Sequence, residues 1–168
     1  MLAMSTVMTW QMRSTSSAET ERLGEALGRL LKAPTTIELQ SDLGGGKTTF
    51  VRGLARGLGS TDTVSSPTFV LSNIYKTKSG EVHHFDFYRL DEPGVVADQL
   101  SESLADPGVI TVVEWSKIVG DVLPEDRITV EFKPVATNTD ERQISFIYPE
   151  SVAVVIKKLE TQWARLQP

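Results

Sequence analysis

Residues 35–59 constrain the fold more than any other part of the chain. The segment opens with TTIELQ, a short run that is β-branched at its start and typical of a strand, and passes directly into the glycine-rich run SDLGGGKTTF. Apolar residues then recur at helical spacing as far as Gly59, where a left-handed residue would end a helix. We therefore predict a strand, a glycine loop and a helix, in that order.

The glycine loop is close to the phosphate-binding pattern G-x-x-x-x-G-K-[ST], with Ser41 in the place of the first glycine. Successive glycines let backbone N–H groups point into one concavity at a helix N-terminus, where partial positive charge favours anions. In this pattern Lys47 reaches the phosphates and the Thr48 hydroxyl ligates Mg²⁺. A glycine-rich connection without a ligand is the plainer alternative. The predicted nucleotide-binding residues are Ser41, Asp42, Leu43, Gly44, Gly45, Gly46, Lys47, Thr48 and Thr49.

Two carboxylates are candidates to complete the site. Glu114 ends the β-branched run VITVVE, which is typical of a strand buried in a parallel sheet, and is placed to hold Mg²⁺. Asp86 is a lone carboxylate in the aromatic run HHFDFYRL, where burial is costly unless a partner or a metal compensates. A structural ion pair with Arg89 is the alternative for Asp86. Both interpretations keep Asp86 ionised.

Other polar and aromatic residues near these carboxylates have two interpretations each. Trp115 follows Glu114 directly and suits either the core or a nucleotide contact. Ser66 and Thr68 flank a proline, so they either position a phosphate or water, or only form a turn. The adjacent residues His83 and His84 point to opposite faces of the predicted strand and cannot chelate a metal together, so we expect structural roles for both.

The rest of the chain predicts one α/β domain over residues 17–168, after a flexible lead-in over residues 1–16. Strand-like runs at 69–75 and 81–90 flank a polar turn and predict an antiparallel hairpin. The runs GVITVVEW, RITVEF and QISFIY predict further strands, and amphipathic helices are predicted to start after Ser16 and near Val152. A weaker helical pattern covers residues 93–104.

Composition excludes several classes of function. The formal net charge of −5 argues against binding nucleic acid by bulk electrostatics. The absence of cysteine excludes a disulfide framework and a thiol nucleophile, and agrees with a reducing cytoplasm. No apolar run approaches the roughly 20 residues that span a bilayer, and the first residues lack the pattern of a signal peptide, so we expect a cytoplasmic protein without a membrane partner.

The glycine loop with its helix, followed by VSSPTFVLSNIY, HHFDFYRL and VVEW, resembles the bacterial TsaE (YjeE) family over residues 20–127. The resemblance implies a three-layer P-loop NTPase-like fold with a mostly parallel central sheet and an antiparallel hairpin. It also implies a Mg²⁺-dependent ATPase, slow on its own, that supports the threonylcarbamoylation of adenosine 37 in tRNAs reading ANN codons. Such an ATPase acts with TsaB and TsaD, is not itself the transferase, and meets tRNA indirectly or at a composite site.

The resemblance also implies roles for single residues. Lys47 and the glycines would take the phosphates of ATP, and Thr48 and Glu114 would take Mg²⁺. The remaining candidates, which would support hydrolysis or coupling to the partners, are Asp86, Trp115, Ser66 and Thr68.

The chain departs from the family pattern at a few positions. Glycine is usual in place of Ser41, leucine is usual in place of Phe87, and VEWPE is usual where this chain has VEWSK. Two other functions remain open at this stage: a small P-loop kinase, which would need an acceptor pocket, and a binding module that uses nucleotide without catalysis. A GTPase is disfavoured because no Asn-Lys-x-Asp stretch follows a strand.

Overall fold

A computed structural model describes residues 6–42, 44–67, 71–92, 94–137 and 139–167. The strands are β1 Val7–Ser14, β2 Thr35–Gln40, β3 Ser72–Lys76, β4 Glu81–Asp86, β5 Val109–Glu114, β6 Ile128–Pro134 and β7 Arg142–Pro149. The helices are α1 Ser17–Leu30, α2 Lys47–Gly57, α3 Gly94–Ala105 and α4 Ala153–Leu166, with short 3₁₀ turns at Ser116–Val119 and Glu150–Val152.

The strands form one sheet in the order β1-β7-β6-β2-β5-β4-β3. Its central strands β6, β2, β5 and β4 run parallel to one another. The strands outside them pair antiparallel, including the predicted β3–β4 hairpin. All six residues of β5 are buried, because helices or turns cover the middle of the sheet on both faces.

The helices form layers on both sides of this sheet. Val112 packs in a core that contains residues of α1, α2 and α4, whereas the next residue, Val113, packs in a second core with α3 and the first 3₁₀ turn. Neighbouring strand residues point to opposite faces, so the cores lie on opposite sides of the sheet. The predicted three-layer α/β architecture is therefore confirmed. Within the described ranges, no helix is both long and apolar enough to cross a membrane.

The N-terminal segment departs from the sequence-based prediction. Residues 1–16 were expected to be a flexible lead-in, and this is wrong for Val7–Ser14, which forms β1 and pairs along its length with β7. Met8, Trp10 and Met12 alternate with polar residues and turn toward the core, so the strand has the period of two that burial on one face requires. The alternation was visible in the sequence but short.

Helices α1 and α2 pack closely because glycines lie where they meet. A methyl group at Gly24 would lie 2.2 Å from the Phe50 carbonyl oxygen, and one at Gly53 would lie 1.9 Å from the Glu21 carbonyl oxygen. Real side chains do not come this close to backbone atoms. The short distance between the two helices therefore requires glycine, which has no side chain, at both positions. This contact fixes the position of α2, whose first residue is Lys47.

We predict that Gly53→Ala destabilises the protein. In an open helix the change would stabilise by about 1 kcal/mol through helix propensity. Here the methyl group has to push two backbones apart, so we expect the free energy of unfolding to fall by about 1–3 kcal/mol. Gly120→Ala is the control, because its nearest contact would be an ordinary 3.8 Å. Equal urea-unfolding midpoints for the two variants would contradict the prediction.

Candidate functional site

The predicted site residues meet at one edge of the sheet. The parallel strands β2, β4 and β5 all end at this edge, and the register pairs Asp86, the last residue of β4, with Glu114, the last residue of β5. The glycine loop leaves β2 here, and α2 begins just beyond it. These elements enclose a cavity of about 230 Å³. It is lined by Ser17, Thr20, Gly44, Gly45, Gly46, Lys47, Thr48, Thr49, Ser66, Asp86, Glu114, Trp115, Asp140 and Arg142.

The glycine loop ends at the N-terminus of α2. Gly46 is the N-cap residue, with a φ of 100° that side chains rarely tolerate. Glycine has no side chain with which to cap the helix, and the first three residues of α2 line the cavity. An anion is the ligand that such a helix end favours.

Ser41 occupies its place in the loop without backbone strain. Among the described residues, positive φ outside glycine occurs at Leu71 and Trp115, so Ser41 keeps an ordinary conformation. Its hydroxyl donates to the Asp42 carbonyl at 2.8 Å, and neither residue lines the cavity. The serine hydroxyl therefore serves the loop itself.

The Ser41 side chain also fills the space beside Gly45. A Cβ atom on Gly45 would lie 2.2 Å from Ser41 Oγ and 2.6 Å from Ser41 Cβ. These distances are far below van der Waals contact, so serine at one position requires glycine at the other. The departure from the usual glycine at position 41 is thus linked to the residue four positions later.

Lys47 is buried at the centre of the site, with 7% of its surface exposed. Its ammonium donates to the Ser41 carbonyl at 3.0 Å and lies 4.5 Å from the centre of the Trp115 ring, in cation–π range. Burial lowers the pKa of Lys47, and the negative charges of Glu114 and Asp86 act against that shift. The buried cation is thus surrounded by oxygen atoms and an aromatic face.

The carboxylates facing Lys47 are buried as well. Glu114 and Asp86 are each 2% exposed. Asp86 accepts a hydrogen bond from the backbone N–H of Tyr88 at 2.9 Å. Glu114 Oε1 has no hydrogen-bond partner among the described residues, although His84 Nε2 lies 3.4 Å away. A buried carboxylate oxygen without a partner is costly, so this atom needs a hydrogen-bond donor or a cation beside it.

Trp115 has a strained backbone at the mouth of the site. Its φ of 56° is in the left-handed region, which costs a residue other than glycine roughly 1–3 kcal/mol. The following residue, Ser116, donates to the buried carboxylate of Glu38, which anchors the 3₁₀ turn. Trp115 lines the cavity and packs against the second core, so a contact with nucleotide stays a prediction.

Most predicted site residues line the cavity, but their chemical roles stay predictions. Ser41 and Asp42 lie beside it and supply backbone oxygens within reach of Lys47. Leu43 and Thr68 fall outside the described residues.

Sequence reasoning missed residues that come from distant segments. Arg142, at the start of β7, donates to the carbonyl oxygens of Gly45 at 3.2 Å and Gly44 at 3.1 Å. The guanidinium therefore ties β7 to the backbone of the glycine loop. Thr20, from α1, also lines the cavity. No motif surrounds either residue, so no local signal in the sequence indicated them.

Comparison with known proteins agrees with this geometry. The family model described as "Threonylcarbamoyl adenosine biosynthesis protein TsaE" matches residues 14–144. The chain belongs to the TsaE family. The match extends beyond residues 20–127, over which the motifs resemble the family, and includes both β1's last residue and Arg142.

Individual TsaE proteins match over most of their length. The chain is similar to TsaE of Bacillus subtilis, with 34% identity over 80% of this chain and 82% of the relative. TsaE of Treponema pallidum is 35% identical over 76% of this chain and 94% of the relative. The crystal structure of YdiB from Bacillus subtilis has a TM-score of 0.78 and 28% identity, and covers 94% of this chain and 97% of YdiB. The fold is therefore that of a P-loop NTPase-like TsaE protein.

The contact between Ser41 and Gly45 predicts non-additive substitutions in this TsaE loop. Gly45→Ala alone should lower the free energy of unfolding, because the methyl group collides with the serine side chain. Ser41→Gly alone should change it little. In the double variant the collision with the serine is gone and only the 3.0 Å contact with the Asp42 carbonyl oxygen remains. We therefore expect partial recovery, with a coupling energy above about 0.5 kcal/mol. Urea unfolding of the four proteins measures this, and additive effects would contradict it.

Proposed function

We propose that this protein binds ATP with Mg²⁺ and hydrolyses ATP in support of tRNA threonylcarbamoylation. The observation that carries the proposal is the convergence of Lys47 and the buried Glu114 on one cavity at the N-terminus of α2. A glycine loop, a buried lysine and a carboxylate at the end of a neighbouring parallel strand are the parts that P-loop enzymes use for phosphoryl chemistry.

The phosphates of ATP fit the loop for reasons of charge and shape. Gly44, Gly45 and Gly46 present backbone without side chains to the cavity, and the N-terminus of α2 adds partial positive charge. The Lys47 ammonium now rests on the Ser41 carbonyl. On binding, it would exchange that neutral acceptor for phosphate oxygens, a stronger partner because the hydrogen bond is then charge-assisted.

The donor set fits Mg²⁺. Two buried carboxylates beside a phosphate site would repel the phosphates, and a divalent cation between them removes that repulsion. Glu114 and Thr48, which both carry oxygen atoms, line the same cavity. The described ranges contain no group of three or more His, Cys, Asp or Glu placed to hold a metal ion. Mg²⁺ needs no such group, because it keeps several waters and takes oxygens from phosphates.

The cavity's own residues supply the rest of the chemistry. Thr48 and Glu114 would hold Mg²⁺, which when bound supplies neutralisation of negative charge on the phosphates. Asp86, next to Glu114 on the adjacent strand, would orient the attacking water or a metal-bound water. Trp115 and Ser66 lie on the cavity wall, where they would exclude bulk water or transmit closure to a partner.

The biological role rests on the family. We infer that the ATPase acts with TsaB and TsaD in the modification of adenosine 37 of tRNAs reading ANN codons, and that hydrolysis supports turnover of that complex. The relatives are named as threonylcarbamoyladenosine biosynthesis proteins. A chain with a net charge of −5 suits a protein that meets tRNA indirectly or at a composite site in the cytoplasm.

Reconstitution tests the proposal. Multiple-turnover threonylcarbamoylation is measured with purified TsaB, TsaD, tRNA and this protein or its Lys47→Ala and Glu114→Ala variants. Each substitution removes a group that faces the phosphates or the metal, so we expect turnover and phosphate release to fall on the order of 100-fold. Lys157→Ala and Glu160→Ala, on the exposed face of α4, are charge-matched controls and should behave as the parent.

The outcomes separate the open functions. Unchanged turnover with both site variants would contradict an ATPase role. Phosphate transfer from ATP to a small acceptor, rather than release as inorganic phosphate, would indicate a kinase. Full activity of the parent with a non-hydrolysable ATP analogue would indicate a binding module.

A further inference from the structure

His84 is a fully buried histidine that none of the assignments above uses. Its exposed fraction is 0%, and neither ring nitrogen has a hydrogen-bond partner among the described residues. A carboxylate oxygen, Glu114 Oε1, lies 3.4 Å from His84 Nε2 and likewise has no hydrogen-bond partner among the described residues. Buried polar atoms are nearly always satisfied in folded proteins, so a cluster of unsatisfied ones needs an explanation.

The sheet register places His84 directly behind the cavity. His84 pairs with Val112 on β5, and two residues further along each strand Asp86 pairs with Glu114. Residues two apart on a strand share a face, so His84, Asp86 and Glu114 point to the same side of the sheet, the side of the core that contains α2. His84 therefore lies one step deeper than the carboxylates.

His83, the residue before His84, has different surroundings. It points to the opposite face, where its Nε2 lies 2.8 Å from the exposed Glu81 carboxylate. That contact is a normal surface interaction, far from the cavity lining. Adjacent histidines in one strand thus differ in burial, in partner and in relation to the site.

We propose that His84 is a positioning residue for Glu114. Its Nε2–H donates to Oε1 of the Glu114 carboxylate and so turns the other oxygen toward the cavity, where it would hold Mg²⁺. Partners behind a metal-binding carboxylate fix its orientation, and their loss typically costs 10–100-fold in metal affinity. The separation of 3.4 Å needs a small rotation to become a hydrogen bond, which a cation on the far oxygen would favour. This inference rests on the proposed Mg²⁺–ATP site.

Binding measurements test the role of His84 without relying on activity. A non-hydrolysable ATP analogue is titrated calorimetrically into the parent and into His84→Leu, His84→Gln and His83→Leu, once with Mg²⁺ and once with EDTA. The gain in affinity that Mg²⁺ confers should fall at least tenfold in His84→Leu. The glutamine amide can place a donor where the imidazole Nε2 lies, so His84→Gln should keep most of the gain. His83→Leu, the matched control, should keep all of it.

Thermal unfolding separates positioning from a structural role. Leucine removes buried nitrogens that have no described partner, so His84→Leu should fold with an unchanged or higher Tm. An Mg²⁺ gain in His84→Leu equal to that of the parent would overturn the proposal. If His84→Leu does not fold, His84→Asn takes its place, because the shorter amide does not reach the Nε2 position. Equal Mg²⁺ gains for asparagine and glutamine would then overturn it.

The result for the parent protein separates the proposed metal site from the proposed role of His84. A parent that binds the analogue equally well with Mg²⁺ and with EDTA contradicts the proposed metal site itself. A parent with a clear Mg²⁺ gain, together with a His84→Leu variant that retains it, contradicts only the role of His84.

Discussion

The buried ammonium of Lys47 is held between backbone carbonyls of the glycine loop, the face of Trp115 and the carboxylates of Glu114 and Asp86. One buried cation facing two buried carboxylates leaves the site net negative, and a site of that charge is stable only while each group has partners. Backbone carbonyls and the Trp115 ring contact the Lys47 ammonium, and the backbone N–H of Tyr88 donates a hydrogen bond to Asp86. Glu114 Oε1 lacks a hydrogen-bond partner among the described residues, and His84 Nε2 lies 3.4 Å from it.

The fold brings these groups together through its parallel strands. Because β4 and β5 run in the same direction, their terminal carboxylates arrive at the same edge as the loop that follows β2. The close packing of α1 on α2 then fixes where α2 begins, at Lys47, and Arg142 holds two carbonyl oxygens of the loop. Strands and a helix, not loops, carry Lys47, Asp86 and Glu114, and sites built on such elements are more precise than sites on loops.

The sequence predicted much of the fold and the centre of the site. The run TTIELQ is β2 to the residue, and the hairpin and the buried strand ending in Glu114 are where the patterns indicated. β1 was missed because its alternation covers few residues and lies beside a run without clear pattern. Ser41, which the sequence shows only as a departure from the first glycine of the pattern, is a packing partner of Gly45 and has an ordinary backbone conformation.

The sequence by itself determined which groups are local to a motif: the loop, its lysine and threonine, and carboxylates that end apolar strands. These follow from spacing, because backbone geometry over a few residues depends on the residues themselves. Only the tertiary structure decided that Arg142 supports the loop and that His84 lies behind Glu114. Such contacts join segments tens of residues apart, and their partners are selected by strand order and register, which no local pattern contains.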